Sequence, residues 1–168
     1  MESIDFLIIQ STETGEGIPY GKTELILAHT TPENLGGKGW NRPGTDYLIR
    51  TDGSLETILP EDSPNTVDLW GIGQGEPGVH GNCKYVAYEG GKTEKETKYK
   101  DTRTSEQIAT LETIIRFYIA RFPKVRVLGF SEAPAKSESE NPGFEVSTWL
   151  TELGIAPENI YDTEVTEA

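Results

Sequence analysis

Hydrophobic and polar positions divide this chain into short apolar segments separated by polar, glycine-rich stretches. Ile4–Gln10 is a continuous apolar run with β-branched residues and predicts a strand buried on both faces. Thr12–Gly21 reads as a Gly-rich loop, Thr23–His29 as a short helix and Thr30–Pro43 as a loop. Asp46–Arg50 and Ser54–Leu59 predict two strands joined at Thr51-Asp52-Gly53, where glycine can adopt positive φ. Pro60–Gly81 has five Gly and three Pro and no periodicity. A loop that long in a compact domain is usually a lid or a binding surface. Cys83–Tyr88 predicts another strand and Gly90–Lys100 an exposed, lysine-rich loop.

The clearest helix spans Ser105–Phe122. Thr104 is placed to cap it, and Gln107 stands where a capping box needs Gln or Glu. Ile108, Leu111, Ile115, Tyr118 and Phe122 fall on one face, and Pro123 ends the helix. Val125–Gly129 predicts a buried strand, and Phe144–Leu153 a last helix stopped by Gly154. Strands alternating with helices predict an α/β fold, with a mixed central β-sheet flanked by helices.

At 168 residues the chain has the length of one domain with a real core. The expected division is a single domain over residues 1–155 and an acidic C-terminal extension over 156–168. The net charge of −13 disfavours nucleic acid and anionic membrane as partners, because no basic surface is available to displace counterions. From Ser131 onward Lys136 is the only basic residue against nine Asp and Glu. Such a run is most simply a solvated face, and alternatively a contact for a basic partner. Cys83 is the only cysteine, which excludes an intrachain disulfide and a cysteine-rich zinc site. No apolar run approaches membrane-spanning length and no signal peptide is visible. The sequence assigns no localisation; the expectation is cytoplasmic synthesis, with incorporation into a phage particle as one route outward.

Six segments in one collinear order carry a family resemblance. They are Ile4 to Thr14; Gly39-Trp40 with Gly44 to Arg50 and Asp52-Gly53; Asn82 to Gly91; Asp101 to Thr104 with Gln107; Val127 to Glu132; and Asn141-Pro142-Gly143-Phe144-Glu145. Together they resemble the type 2 N-acetylmuramoyl-L-alanine amidases, the family of phage lysozyme-type amidases and peptidoglycan recognition proteins. The resemblance covers residues 4 to 153 and implies that family's fold. It also implies where a catalytic zinc would sit: at Gln10, Phe130 and Asn141. A zinc hydrolase needs three protein ligands and one open position. Gln and Asn are poor neutral ligands, and Phe cannot ligate. The family tyrosine near the scissile carbonyl falls on Thr45 and its neighbouring histidine on Asp46; the family lysine that steadies the oxyanion falls near Lys136.

No catalytic residue, metal or cofactor is therefore expected, with Gln10, Thr45, Phe130 and Asn141 as degenerate positions. His29, His80, Cys83 and Asp46 are the alternative metal candidates. The plainer reading makes His29 a hydrogen-bonded packing residue and Cys83 a buried thiol. Glu13, Asp46 and Glu132 offer carboxylates, but no spacing selects a hydrolytic pair. Candidate binding residues are Trp40, Tyr47, Trp70, Ile72 and Lys136, with Trp70 either an exposed anchor or a plug on the sheet. Trp149 reads as core. The function expected is that of an inactive amidase-like protein retained as a structural or protein-binding module, in a phage particle or phage-like assembly. The alternatives are a non-catalytic binder of peptidoglycan fragments and a divergent active amidase.

Overall fold

The computed structural model describes residues 3–60, 65–66 and 81–161. Its main sheet has the order β4-β3-β6-β1-β8, with β5 (Asn65–Thr66) pairing antiparallel to the start of β6. The strands β1 (Phe6–Ser11), β3 (Tyr47–Ile49), β6 (Asn82–Tyr88) and β8 (Arg126–Gly129) run parallel, and β4 (Leu55–Thr57) returns antiparallel to β3. A separate parallel pair joins β2 (Thr14–Gly15) to β7 (Gly91–Lys92). Among the described residues three α-helices complete the fold: α1 (Lys22–Thr30), α2 (Ser105–Arg121) and α3 (Val146–Glu152). This is the mixed sheet flanked by helices that the pattern predicts.

Parallel central strands are covered on both faces, so their side chains alternate between two apolar layers. Leu7, Ile9, Val86, Tyr88 and Val127 face Leu111, Ile115 and Tyr118 of α2 and Val146 and Leu150 of α3. On the other face Phe6, Ile8, Cys83, Tyr85 and Leu128 form a second cluster with Phe130 and Tyr161. Leu48 and Ala87 pack against Leu25 of α1 beside it. Thr104 and Gln107 form the predicted capping box reciprocally, at 3.1 and 2.9 Å. Gln107 then turns inward, fully buried, and its Nε2 donates to the Ile49 and Glu89 carbonyls. Ile108 and Phe122, expected on the buried face, are only half-buried, and Ile114 takes an inner place instead.

The Gly90–Lys100 stretch differs from its predicted loop at its first residues. Gly90 (φ +126) and Gly91 (φ +99) let the chain cross the end of β1 and enter β7. A two-residue strand has no period for a sequence pattern to reveal. Residues 156–161 continue onto the body: the Asn159 side chain donates to the Pro123 and Val125 carbonyls, and the Tyr161 N–H to Val127. The 162–168 part of the acidic extension lies outside the described residues. No helix among the described residues is long and apolar enough to cross a membrane.

Candidate functional site

A cleft of about 360 Å³ opens beside the Gln10↔Ala87 pair of β1 and β6. α1 contributes Leu25 and His29 to its wall, the loop after α1 contributes Lys38 and Trp40, and Thr45 closes it ahead of β3. Thr12, Glu13, Thr14 and Tyr20 also line it, with Lys92 and Glu96 from the β7 side. The β2–β7 pair therefore builds one wall.

Gln10 continues the face of Phe6 and Ile8, so alternation alone carries its side chain to this side of the sheet. It is 2% exposed; its Nε2 donates to the Gly44 carbonyl at 2.9 Å, and its Oε1 has no hydrogen-bond partner among the described residues. The Gly44 N–H in turn donates to His29 Nδ1 at 2.9 Å, and the His29 ring lies 4.8 Å from that of Trp40. Thr45 is buried, and its hydroxyl donates to the Tyr47 and Tyr85 carbonyls. It carries no phenol to reach a ligand.

Burial, and secondarily the Lys38 ammonium, push the His29 imidazole from 6.5 down to about 4. The ring is therefore neutral at pH 7, and because Nδ1 accepts, its proton sits on Nε2. With the folded pKa below the unfolded one, unfolding takes up a proton in that window. The stability this group contributes is complete above about pH 6.5 and is lost as pH falls towards 4. Thermal melts across that range are expected to show a fall in midpoint that is smaller in His29→Gln. Parallel curves for the two proteins would mean that His29 titrates as an ordinary histidine.

The other two degenerate positions do not face this cleft. Phe130 follows β8 on a single 3-10 turn and is 2% exposed, packed in the cluster with Phe6, Ile8, Tyr85 and Leu128. Asn141 is fully buried. Its Oδ1 accepts from the Ser11 N–H at 2.8 Å, and its Nδ2 donates to the Ser11 carbonyl at 3.3 Å. The pairing of β8 with β1 stops at Gly129↔Ile9, and beyond it the edge of β1 needs another partner. The Asn141 side-chain amide supplies one, taking the place of the next strand residue. A zinc ion does not fit these three residues: one is a buried hydrocarbon, one has its amide engaged on both sides, and one is a neutral amide. Among the described residues no group of three or more His, Cys, Asp or Glu is placed to hold a metal ion.

Of the candidate binding residues, Trp40 lines the cleft. Tyr47 sits on the opposite face of the sheet, 7% exposed, with its hydroxyl 3.1 Å from that of Tyr118. Lys136 ends a 3-10 turn that does not line the cleft. Trp70, Ile72 and His80 lie outside the described residues, as does most of the Pro60–Gly81 loop. Cys83 is buried in β6. Asp46 is fully buried: its Oδ2 accepts from the Tyr85 N–H at 2.7 Å and its Oδ1 lies 3.5 Å from Lys84 Nζ. Burial pushes its carboxyl up, against those two partners. Trp149 is half-buried, in contact with Phe144 and with the Arg103 guanidinium 4.5 Å from its ring. Sequence reading passed over Tyr20 and Glu96. Both reach the cleft through the β2–β7 pairing, which carries no periodic signal.

No protein-family model matches the sequence, and no curated protein matches it. Solved structures do match the fold. The N-acetylmuramoyl-L-alanine amidase LysC from Clostridium intestinale is 16% identical with a TM-score of 0.58, over 92% of this chain and 87% of that one. Drosophila peptidoglycan recognition protein LB is 15% identical with a TM-score of 0.61, over 96% and 87%. The complex of tracheal cytotoxin with the ectodomains of peptidoglycan recognition proteins LCa and LCx gives 15% and 0.53, over 89% and 81%. The fold is that of the type 2 amidases and peptidoglycan recognition proteins.

Proposed function

We propose that this chain is a catalytically silent protein of the amidase fold, kept as a binding module. The observation that carries this reading is the way Phe130 and Asn141 have been absorbed into the interior while the neighbouring cleft persists. Hydrolysis of an amide by a bound metal needs an exposed ligand set and a polarising group beside the carbonyl. Here the implied ligand positions serve packing and sheet closure, and Thr45 spends its hydroxyl on two backbone carbonyls.

What remains suits recognition. The cleft joins the faces of Trp40 and Tyr20 to hydroxyl, amide and charged groups, which is the composition of a site for a polar peptide or glycopeptide. Two sources of such a ligand are open: a segment of a protein partner, as in a phage particle or phage-like assembly, and a peptidoglycan fragment. The second is favoured by the tracheal cytotoxin complex formed on the same fold.

Elemental analysis of protein purified without chelator is expected to find no stoichiometric zinc. Dye release from labelled peptidoglycan, run beside an active amidase of this fold, is expected to stay at background. Chelator-sensitive turnover would overturn the reading. Muropeptide titration and co-purification from the native source then separate the two ligand sources.

A further inference from the structure

Away from the cleft, on the α2 side of the sheet, the fold leaves a strand edge open. β4 is the outermost strand of the main sheet among the described residues. Its bonds to β3 alternate: the Arg50 N–H donates to the Ser54 carbonyl and the Ile58 N–H to the Asp46 carbonyl, with Leu48 opposite Glu56 between them. Residues between such bonded positions turn their peptide groups the other way. Leu55 and Thr57 therefore direct N–H and C=O away from β3, and those groups meet no partner among the described residues. Both residues are exposed. An open edge of this kind is a template for one more strand.

The Leu55 side chain opens onto a groove along α2. Leu55, Tyr47, Ile114, Phe117 and Tyr118 line about 250 Å³ of it. A second hollow of about 220 Å³ shares Tyr47, Phe117 and Tyr118 and ends at Lys84, Arg121 and Phe122. Leu55 is 45% and Phe117 58% exposed. Lys84 is paired with Asp46 at 3.5 Å. Arg121 is exposed on the last turn of α2 and forms no ion pair among the described residues. No carboxylate among the described residues lines either hollow. In a chain of net charge −13 this surface is apolar and cationic. Its complement is an extended segment that carries an apolar side chain and carboxylates.

Residues 162–168 have that chemistry. Asp162-Thr163-Glu164-Val165-Thr166-Glu167-Ala168 holds three carboxylates and three β-branched residues, with neither Gly nor Pro. In an extended segment Thr163, Val165 and Glu167 share one face, and Val165 and Glu167 stand roughly 7 Å apart. Phe117 and Arg121, one turn apart on α2, are separated by a similar distance, roughly 5–6 Å. The segment cannot serve its own groove. Tyr161 is bonded to Val127 of β8, four inter-strand spacings from β4. That gap of about 19 Å consumes most of the reach of the segment, about 24 Å when fully extended. We propose that residues 162–168 of a second copy add to the β4 edge as a strand, with Val165 between Leu55 and Phe117 and Glu167 meeting Arg121.

Sedimentation of the full chain over a range of concentrations tests this, with circular dichroism melts to show that each variant is folded. The full chain is expected to self-associate. Thr57→Pro removes one outward N–H and leaves the β3–β4 bonds in place, a position where an edge strand tolerates proline. Thr57→Pro, Arg121→Glu and Val165→Asp are each expected to weaken association about tenfold, the scale of one lost contact of this kind. Glu167→Arg is expected to weaken it alone and to restore it, to within about threefold, when combined with Arg121→Glu. A general structural effect of Arg121→Glu would not be rescued in this way, and the charge swap decides alone should Thr57→Pro fail to fold. A full chain that stays monomeric up to the millimolar range overturns the proposal. Association weakened by Thr57→Pro and Arg121→Glu but not by Val165→Asp or Glu167→Arg means that two β4 edges pair directly, and the assigned occupant is wrong. Association that none of the variants changes uses another surface and overturns it as well. The cleft lies across the sheet from this groove, so its ligand binding is independent of each outcome.

Discussion

Phe130→Ala is expected to destabilise the fold by about 3–5 kcal/mol, the range for removing a fully enclosed phenylalanine ring. The ring is 2% exposed among Phe6, Ile8, Tyr85 and Leu128, so the neighbours cannot close the space without moving the central strands that carry them. Urea denaturation measures it, with Phe117→Ala as the comparison. Phe117 is 58% exposed on α2, and its loss is expected to change stability by about 0.5 kcal/mol or less. Equal midpoints for wild type and Phe130→Ala would show that this position is a contact surface, not core. Phe130→His is expected to be nearly as damaging, because the imidazole would need hydrogen-bond partners in an apolar cluster.

Asn141→Ala carries the second large effect. It removes both hydrogen bonds to Ser11 and leaves a buried N–H and a buried carbonyl facing a methyl group. Stranded buried polar groups cost about 1–3 kcal/mol each, so a loss of about 2–6 kcal/mol is expected. Asn141→Asp separates the two bonds. A carboxylate still accepts from the Ser11 N–H but repels its carbonyl and buries a charge, so it is expected to be at least as harmful as alanine. Amide exchange at Ser11 reports the same contact locally. Unchanged protection of that N–H in Asn141→Ala would sink the account of the side chain as a substitute strand.

The parts of this structure that were legible in the sequence are those with local chemistry. The α2 capping box is written in Thr104 and Gln107, and the β3–β4 turn in Asp52-Gly53. The apolar runs of β1, β6 and β8 declare strands covered on both faces. That Gln10, Phe130 and Asn141 are poor metal ligands was legible too, because it needs only the identity of three residues. What those residues do was not. That the Asn141 amide would close the edge of β1 depends on where β8 turns away, and Asn141 lies 130 positions along the chain from Ser11. Tyr47 faces α2 and not the cleft, and aromatic character says nothing about which side of a sheet a three-residue strand presents. Tyr20 and Glu96 were silent because the pairing that brings them together spans two residues on each side.

The Ser11–Asn141 bridge also governs how readily a metal site could be built into this fold. Installing a ligand at position 141 opens the sheet edge, and installing one at position 130 hollows the apolar cluster. Neither penalty is relieved by the other change. Intermediates carrying one new ligand would bear the full structural loss without any ion to hold them. The complete set would fold only when an ion supplied binding energy, which reaches about 10–16 kcal/mol for structural zinc. Stepwise selection therefore meets a valley between two stable states, and such a valley is crossed only by several changes at once. In this chain the packing around positions 130 and 141 itself resists a metal site there.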